Sequence, residues 1–404
     1  MESRRYPFSW PISPESIARE TALFERELAE AAAGSGSDSR VVLAARCRLG
    51  RAYRIAGRYH DAVELHEMNL EECARALGPG DPATLAARCE LARSWLSAGR
   101  LADGAAGLER SLADLDRVLG ADHPDTILAR CDLGLVLSRP GAVARAQRLL
   151  EQALADSKRV LGPDHPDTLT CHTWLAMVHG IAGRNGLALK LVKRNMVACE
   201  RALPPGYPVE IECRSVLGMC YRFTGRAAQS IAEHKRARAD YERVLGPLHP
   251  LAIAEHASLA RAYGQAGQHD AAIAALQQAS TDSDRLLGAD DPSSLTVRID
   301  LGDAYARASR AAEAIAVLKR ASADCKRVLG HDHWITLESR ARLARAYAIA
   351  GRRRKATVLY RQVLAGYERT IGPDDPTTQQ YRDLVAQTPR ARNGASRLPE
   401  RRSP

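Results

Sequence analysis

The chain has 404 residues, of which 45% are hydrophobic and only 5% aromatic, and its formal net charge is +10. So few aromatic residues disfavour a β-sandwich or β-barrel, whereas the abundant Ala, Leu and Arg favour helices. The charge permits an acidic partner, although Arg is spread along the whole chain rather than gathered in one block. The nine Cys form no CxxC pair, and no run reaches the roughly 18 apolar residues of a membrane span. We therefore expect a cytoplasmic protein with reduced cysteines.

A hexamer that recurs every 42 residues dominates the sequence. The Gly in its second position suits a left-handed helix C-cap, and the Pro in its sixth suits the first position of a new helix. The residue before that Pro is a good N-cap where it is Asp, as at Asp81, Asp291 and Asp375. Each hexamer is therefore predicted to end one helix and start another. The hexamers begin at Leu77, Leu119, Leu161, Leu203, Leu245, Leu287, Leu329 and Ile371.

A second break lies halfway between the hexamers, where a Gly also recurs every 42 residues, for example Gly57 and Gly99. Each unit thus contains a helix A, a short turn and a helix B. Helix A carries a core Leu, a small residue directly after it and, in most units, a large aromatic residue four places on. In the second unit these are Leu91, Ala92 and Trp95. Because positions i and i+4 share one helix face, this pattern predicts close packing between neighbouring helices.

The Leu-small-x-x-Tyr-x-x-x-Gly pattern, with an Ala in helix B, resembles the tetratricopeptide repeat. The 42-residue length and the LGxDHP hexamer resemble the kinesin-light-chain-like subclass found in bacterial arrays. This resemblance implies an all-α, right-handed superhelical solenoid of about eight helix pairs, with helix A on the concave wall, where family members hold peptides or partner segments. Two hexamers depart from the pattern and leave their local turn geometry open: Pro204 replaces the Gly of the fourth, and Trp334 replaces the Pro of the seventh.

The ends of the array are expected to differ from its repeats. Residues 1–39 are interpreted as an N-terminal segment with a capping helix, and residues 40–376 as eight 42-residue repeats. Residues 377–387 are expected to form a C-terminal capping helix. The basic tail, residues 388–404, is expected to be disordered.

Two rows of basic residues follow the repeat. An Arg stands two places before every hexamer, for example Arg159, and a mostly Arg row stands three places before the core Leu, for example Arg88 and Arg130. The regularity favours structural roles: interaction with the helix dipole for the first row, and packing and pairing with acids for the second. The first row also fits a spiral of guanidinium groups for phosphate or carboxylate.

The concave wall is the predicted binding surface, because its residues vary from repeat to repeat. Charged residues stand in the first and last repeats and apolar ones in the middle, as expected of a groove for an amphipathic segment. The alternative is that some of these side chains face inward as ordinary packing. The candidate partner-binding residues are Arg51, Arg54, Arg93, Leu135, Trp174, Met177, Ile181, Met219, Phe223, Arg261, Asp303 and Arg345.

The sequence contains no phosphate-binding loop, nucleophile elbow or HExxH motif, so we expect no catalytic, cofactor or metal site. Cys47, Cys89 and Cys131 share one repeat position and are interpreted as small apolar core residues. The leading hypothesis is a protein-interaction scaffold that binds a peptide or helical segment of a protein partner. The alternatives are a ligand- or peptide-sensing regulatory protein and, with less support, a nucleic-acid-binding protein that uses its Arg-rich surface.

Overall fold

The computed structural model describes residues 12–35, 39–139 and 141–387, and the predicted tail 388–404 lies outside them. Within these residues the chain forms eighteen α-helices and no strand, and none of the helices is long and apolar enough to cross a membrane. The helices are α1 (Pro14–Ser35), α2 (Arg40–Ile55), α3 (Tyr59–Leu77), α4 (Pro82–Ser97), α5 (Leu101–Val118), α6 (Pro124–Val136), α7 (Val143–Val160), α8 (Pro166–Ile181), α9 (Asn185–Ala202), α10 (Pro208–Phe223), α11 (Ala227–Leu245), α12 (Pro250–Gln265), α13 (His269–Leu287), α14 (Pro292–Arg307), α15 (Ala311–Leu329), α16 (Trp334–Ile349), α17 (Arg353–Thr370) and α18 (Pro376–Gln387).

The helices stack in consecutive pairs, so the predicted all-α solenoid is confirmed. Repeat 1 is the pair α2–α3 and repeat 8 is α16–α17, and each helix A, from α2 to α16, also contacts helix A of the next repeat. The small residue after the core Leu makes the close approach possible. A Cβ added at Gly134 would lie 2.6 Å from Leu150 of α7, and one at Gly218 would lie 2.9 Å from His234 of α11. α1 packs on α2, and α18 packs on α17.

The residue before the hexamer's Pro caps the following helix A, as predicted for Asp. Asp81 Oδ1 accepts a hydrogen bond from the backbone N–H of Ala83 at 2.9 Å. Histidine does the same through Nδ1, which the sequence analysis did not foresee. A ring nitrogen accepts a hydrogen bond only when it carries no proton, so this cap requires the tautomer with its proton on Nε2. The capping histidines are His123, His165, His249 and His333.

The Gly that ends helix B has a different conformation from the predicted left-handed helical one. Gly288 has φ 90° and ψ 154°, and Gly246 has φ 96° and ψ 154°. This combination of positive φ with extended ψ is open almost only to glycine. In the fourth hexamer, where Pro204 occupies the glycine position, the positive φ moves to Gly206 (76°). In the seventh hexamer, where Trp334 replaces the Pro, His333 still caps α16.

The turn after helix A explains why an aromatic residue and an Arg recur there. The backbone N–H of Arg58 donates to the carbonyl of Tyr53 at 2.9 Å, closing the Schellman motif that ends the helix. The Arg58 guanidinium then lies 4.0 Å from the Tyr53 ring centroid and binds Asp61 at 2.5 Å. Cation–π contact thus joins the two recurring positions across the turn. The same stacking recurs at Arg100 with Trp95 and at Arg310 with Tyr305.

The solenoid winds so tightly that its second turn packs against its first. A Cβ added at Gly57 would lie 3.0 Å from Pro250, and one at Gly99 would lie 3.0 Å from Pro292, between four and five repeats further along the chain. His249 Nε2 donates to the carbonyl oxygen of Ile55 at 2.9 Å. α1 also contacts α11, where Ile17 joins an apolar cluster with Ala237, Tyr241 and Val244. The concave space is therefore bounded by two successive turns.

Replacement of Gly288 by Ala tests the strained turn. A Cβ at this position meets no atom within 4 Å, so the cost of the change is conformational. We expect the free energy of unfolding to fall by about 1–3 kcal/mol. Gly186→Ala is the matched control: its Cβ is equally free, but Gly186 lies in α9 without a positive φ. That variant should be neutral or more stable by up to about 1 kcal/mol. Urea unfolding followed by circular dichroism measures both, and equal effects would contradict the assignment.

The contact of His249 with Ile55 predicts a pH dependence of stability. Burial lowers the pKa of His249 to about 4, more than the hydrogen bond to Ile55 raises it. This neutral histidine therefore contributes stability that is fully present above pH 6.5 and is lost as the pH falls toward 4, by at most about 1.4 kcal/mol per pH unit. His249→Asn keeps an N-cap but removes the titration, so its free energy of unfolding should fall less steeply between pH 6.5 and 4.5. Parallel pH profiles of the two proteins would rule out this role.

Candidate binding site on the concave surface

Ion pairs between successive repeats occupy much of the concave wall. The side chain two places after one core Leu meets the side chain one place before the next core Leu. Arg93 Nε lies 2.6 Å from Asp132 Oδ2, and Arg261 Nη1 lies 2.6 Å from Asp300 Oδ2. Asp132 and Asp300 are buried, with exposures of 3% and 5%. These pairs tie neighbouring helices A together and neutralise charge that the sequence alone assigned to the binding surface.

Glu90 is the anionic centre of the cluster formed by repeats 1 and 2. Arg93 Nη1 lies 2.7 Å from Glu90 Oε1, and Arg54 Nη2 lies 3.6 Å from Glu90 Oε2. Burial alone raises the pKa of Glu90, but Arg93, Arg51 and Arg54 outweigh burial and lower the pKa to about 2. The three arginines predicted for the partner-binding surface of the first repeats therefore surround one buried carboxylate.

The charged residues predicted for the last repeats also come together. Asp303, 7% exposed, binds Arg307 at 2.9 Å and forms a second ion pair with Arg345. Arg342 binds the neighbouring Asp300 at 2.8 Å. Burial raises the pKa of Asp300, but Arg261 and Arg342 outweigh it and hold the pKa below its ordinary value. The predicted residues Arg261, Asp303 and Arg345 thus belong to one network across repeats 6–8.

An apolar pair interrupts this ladder in the middle of the solenoid. Leu135 and Trp174 occupy the two positions that carry ion pairs elsewhere, and both line a pocket of about 240 Å³. The Trp174 ring is 6% exposed, and its Nε1–H donates to Glu212 Oε1 at 2.6 Å. Arg54 and Arg93 line the same pocket. Four of the predicted binding residues therefore converge on one site.

The opposite wall of this pocket comes from the next turn of the solenoid. Tyr241 and Leu245 of α11, with His249 and Leu251 at the start of α12, face the residues of repeats 1–4. None of these four residues was predicted, because the predicted positions all lie on helix A near the core Leu. Nothing in the 42-residue pattern indicated them, since the contact depends on how tightly the solenoid winds.

The other predicted apolar residues lie outside this pocket. Met177 and Met219 are half-buried against the core of repeats 4 and 5. Phe223 and Met219 approach Gly180, where an added Cβ would meet them at 3.3 Å and 3.6 Å. Ile181 is 40% exposed. These four residues form a second apolar surface near the ends of α8 and α10. Met177, Met219 and Phe223 are half-buried there, and Ile181 is exposed.

The two basic rows pair with acids. Four arginines of the row before the hexamers bind the Asp of the preceding hexamer, as in Arg327 with Asp290 at 2.6 Å and Arg369 with Asp332 at 2.6 Å. Arg159 and Arg201 form the same pair with Asp122 and Asp164. In the second row, Arg88 binds Asp114 at 2.7 Å and Arg130 binds Asp156 at 2.7 Å. Both rows thus connect successive repeats or the two helices of one repeat. The Asp of the hexamer could have indicated the first set of pairs from the sequence.

The cysteines and histidines form no metal centre in the part of the chain that the structure describes, where no group of three His, Cys, Asp or Glu side chains could hold an ion. Cys89 and Cys131 are buried, and Cys47 is partly so. Burial raises the pKa of the Cys89 thiol to about 11, so this thiol is protonated at neutral pH. Such a cysteine is a core residue rather than a nucleophile.

The stacked helix pairs define the class of the protein as a helical repeat protein. Sequence profiles described as tetratricopeptide repeat match residues 42–83, 84–125 and 126–167, and again residues 210–282, 254–326 and 293–369. Together these matches cover well over half of the chain, which therefore belongs to the tetratricopeptide repeat family. Such repeats are typically protein–protein interaction modules. No protein with a curated description is significantly similar to the chain.

Several solved structures are similar to the chain. The kinesin light chain nearly identical TPR-like repeats of Podosopora anserina are 27% identical, over 51% of this chain and 98% of that one, with a TM-score of 0.42. Cut9–Hcn1 of the APC/C is 14% identical over 93% of this chain and 60% of that one, with a TM-score of 0.56. A Rap protein complexed with Competence and Sporulation Factor is 12% identical over 86% and 99%, with a TM-score of 0.54. At these identities the last two show the fold alone.

Replacing Arg93 by Met tests the buried ion pairs. The change leaves Glu90 and Asp132 without their shared cation, so we expect the free energy of unfolding at pH 7 to fall by about 3–5 kcal/mol. Adding Glu90→Gln and Asp132→Asn to the same chain should restore most of it. Arg159→Met, which breaks an exposed pair with Asp122, is the control and should change stability little. Urea unfolding midpoints measure all the variants, and equal losses for the two single changes would refute the buried network.

Proposed function

We propose that the chain is a non-catalytic interaction scaffold that binds a peptide or helical segment of a protein partner through the Leu135–Trp174 pocket. The observation that carries the proposal is the apolar pair at positions where other repeats place ion pairs. An apolar side chain can enter there without breaking a charge pair. Arg54 and Arg93 also line the pocket, but their charges are already paired with Glu90 and Asp132, so the proposal depends on the apolar walls.

The size and rigidity of the pocket suit one large apolar side chain. An apolar cavity of roughly 150 Å³ accepts benzene, and this pocket has a volume of about 240 Å³. The hydrogen bond to Glu212 fixes the orientation of the Trp174 ring, so little side-chain entropy is lost when a ligand packs against it. Leu96 and Leu251 extend the apolar lining on the two opposite walls.

The second candidate is a ligand- or peptide-sensing regulator. It is supported by the two-turn construction of the pocket, since a ligand that contacts Trp174 and Leu251 together ties repeat 4 to the start of repeat 6. Binding would then favour the closed winding of the solenoid. Nucleic-acid binding has less support, because members of both basic rows, such as Arg327 and Arg130, are already paired with aspartates.

A random peptide library displayed on phage tests the binding proposal. We expect peptides selected on the wild-type chain to share a large apolar residue. Leu251 is 45% exposed on the pocket wall, so Leu251→Asp should fold normally yet bind these peptides at least tenfold more weakly. Trp174→Ala should weaken them too. Val358→Asp, a change at an exposed position of α17 outside the pocket, should bind them like the wild type, as measured by fluorescence anisotropy.

Two outcomes would overturn the scaffold proposal: no enrichment of peptides, or equal affinity of the wild type, Leu251→Asp and Val358→Asp. Small-angle X-ray scattering with a selected peptide then separates the two candidates. A sensor should become more compact on binding, whereas a rigid scaffold should keep its radius of gyration.

A further inference from the structure

Four arginines converge on a second cavity of the concave wall, between repeats 5 and 8. The cavity has a volume of about 260 Å³, and Arg222, Arg261, Arg307 and Arg342 line it. Each comes from helix A: α10, α12, α14 and α16 in turn. Small side chains such as Ala260 and Ala304 form the apolar part of the lining. The winding of the solenoid thus gathers cations that are far apart in the sequence.

The cavity carries more positive than negative charge. Among the residues that the structure describes, the carboxylates that line the cavity are Asp300 and Asp303, so two of the four positive charges are not neutralised within it. The nearest charged neighbours do not alter the balance, because Glu338, which binds Arg342, is matched by Arg345, which binds Asp303. Low-polarity walls strengthen the potential that such a surplus creates.

Arg222 contributes one of these two surplus charges. Among the residues that the structure describes, no carboxylate forms an ion pair with it, whereas Arg261, Arg307 and Arg342 each have one. Its guanidinium carbon lies 4.5 Å from the centroid of the Phe223 ring, and its backbone carbonyl accepts a hydrogen bond from Gln265. Burial and the neighbouring cations, of which Arg261 acts most strongly, lower the pKa of Arg222 to about 10. An anion beside Arg222 would relieve this repulsion.

We propose that this cavity is an oxyanion-binding site in which Arg222, with Arg261 and Arg307, holds a phosphate or carboxylate group. A guanidinium presents paired N–H donors that match the two oxygens of such a group. The volume corresponds to about nine water molecules at roughly 30 Å³ each, which leaves room for the group that bears the anion. The inference depends on the charges of this cavity and not on the Leu135–Trp174 pocket.

Isothermal titration calorimetry with inorganic phosphate at low ionic strength tests the site. We expect the wild type to bind phosphate and Arg222→Gln to bind it at least tenfold more weakly. Since Arg222 forms no ion pair in the described structure, this variant should keep its fold, which circular dichroism checks. Arg226→Gln is the matched control, because it removes the same charge from an exposed position of the same repeat and should bind phosphate like the wild type.

Further titrations identify the source of the anion. Glutarate and an acetylated Glu-Glu dipeptide replace phosphate, and sodium chloride at matched ionic strength measures non-specific screening. Stronger binding of phosphate indicates a free or esterified phosphate, and stronger binding of the dipeptide indicates an acidic segment of a protein. The proposal is wrong if none of these anions binds the wild type more strongly than chloride does, or if Arg222→Gln and Arg226→Gln bind them equally.

Discussion

The stacking of each helix pair on the next is the interaction on which the structure depends. A single pair has no core of its own, so its apolar side chains are buried only when a neighbouring repeat covers them. The core Leu and the small residue after it are needed in every repeat for this reason. At Gly134 the backbone of α6 comes so close to Leu150 of α7 that a Cβ would not fit. Every other feature is built on this uniform stacking.

The tight winding gives the solenoid a property that the repeats alone do not have. Because the start of α12 packs against the end of α2, the concave wall encloses pockets between two turns instead of forming one open groove. His249 makes one local and one distant contact: Nδ1 caps its own helix, and Nε2 donates to the carbonyl oxygen of Ile55 on the other turn. A local cap and a distant contact thus depend on one neutral imidazole.

Some charged side chains of the concave wall pair with each other and connect repeats, and others are available to a partner. Buried ion pairs such as Arg93–Asp132 connect repeats, and removing one member would leave a costly uncompensated charge. Two departures from this arrangement line cavities. Leu135 and Trp174 replace the pair with apolar surface, and Arg222 adds a cation with which no carboxylate of the described residues forms an ion pair. These departures, rather than the regular positions, are where we place binding.

The sequence by itself determined the helix pairs, their boundaries and the positions of Leu, Gly and Pro, because caps, turns and apolar periodicity are local properties. It also picked out Leu135, Trp174, Arg54 and Arg93, since they stand at positions that vary from repeat to repeat. Only the tertiary structure decided that these four share a pocket with His249 and Leu251, and that Arg222 lies among three other arginines. The reason is physical: the winding of a solenoid sums small rotations from every repeat, and no single repeat encodes that sum.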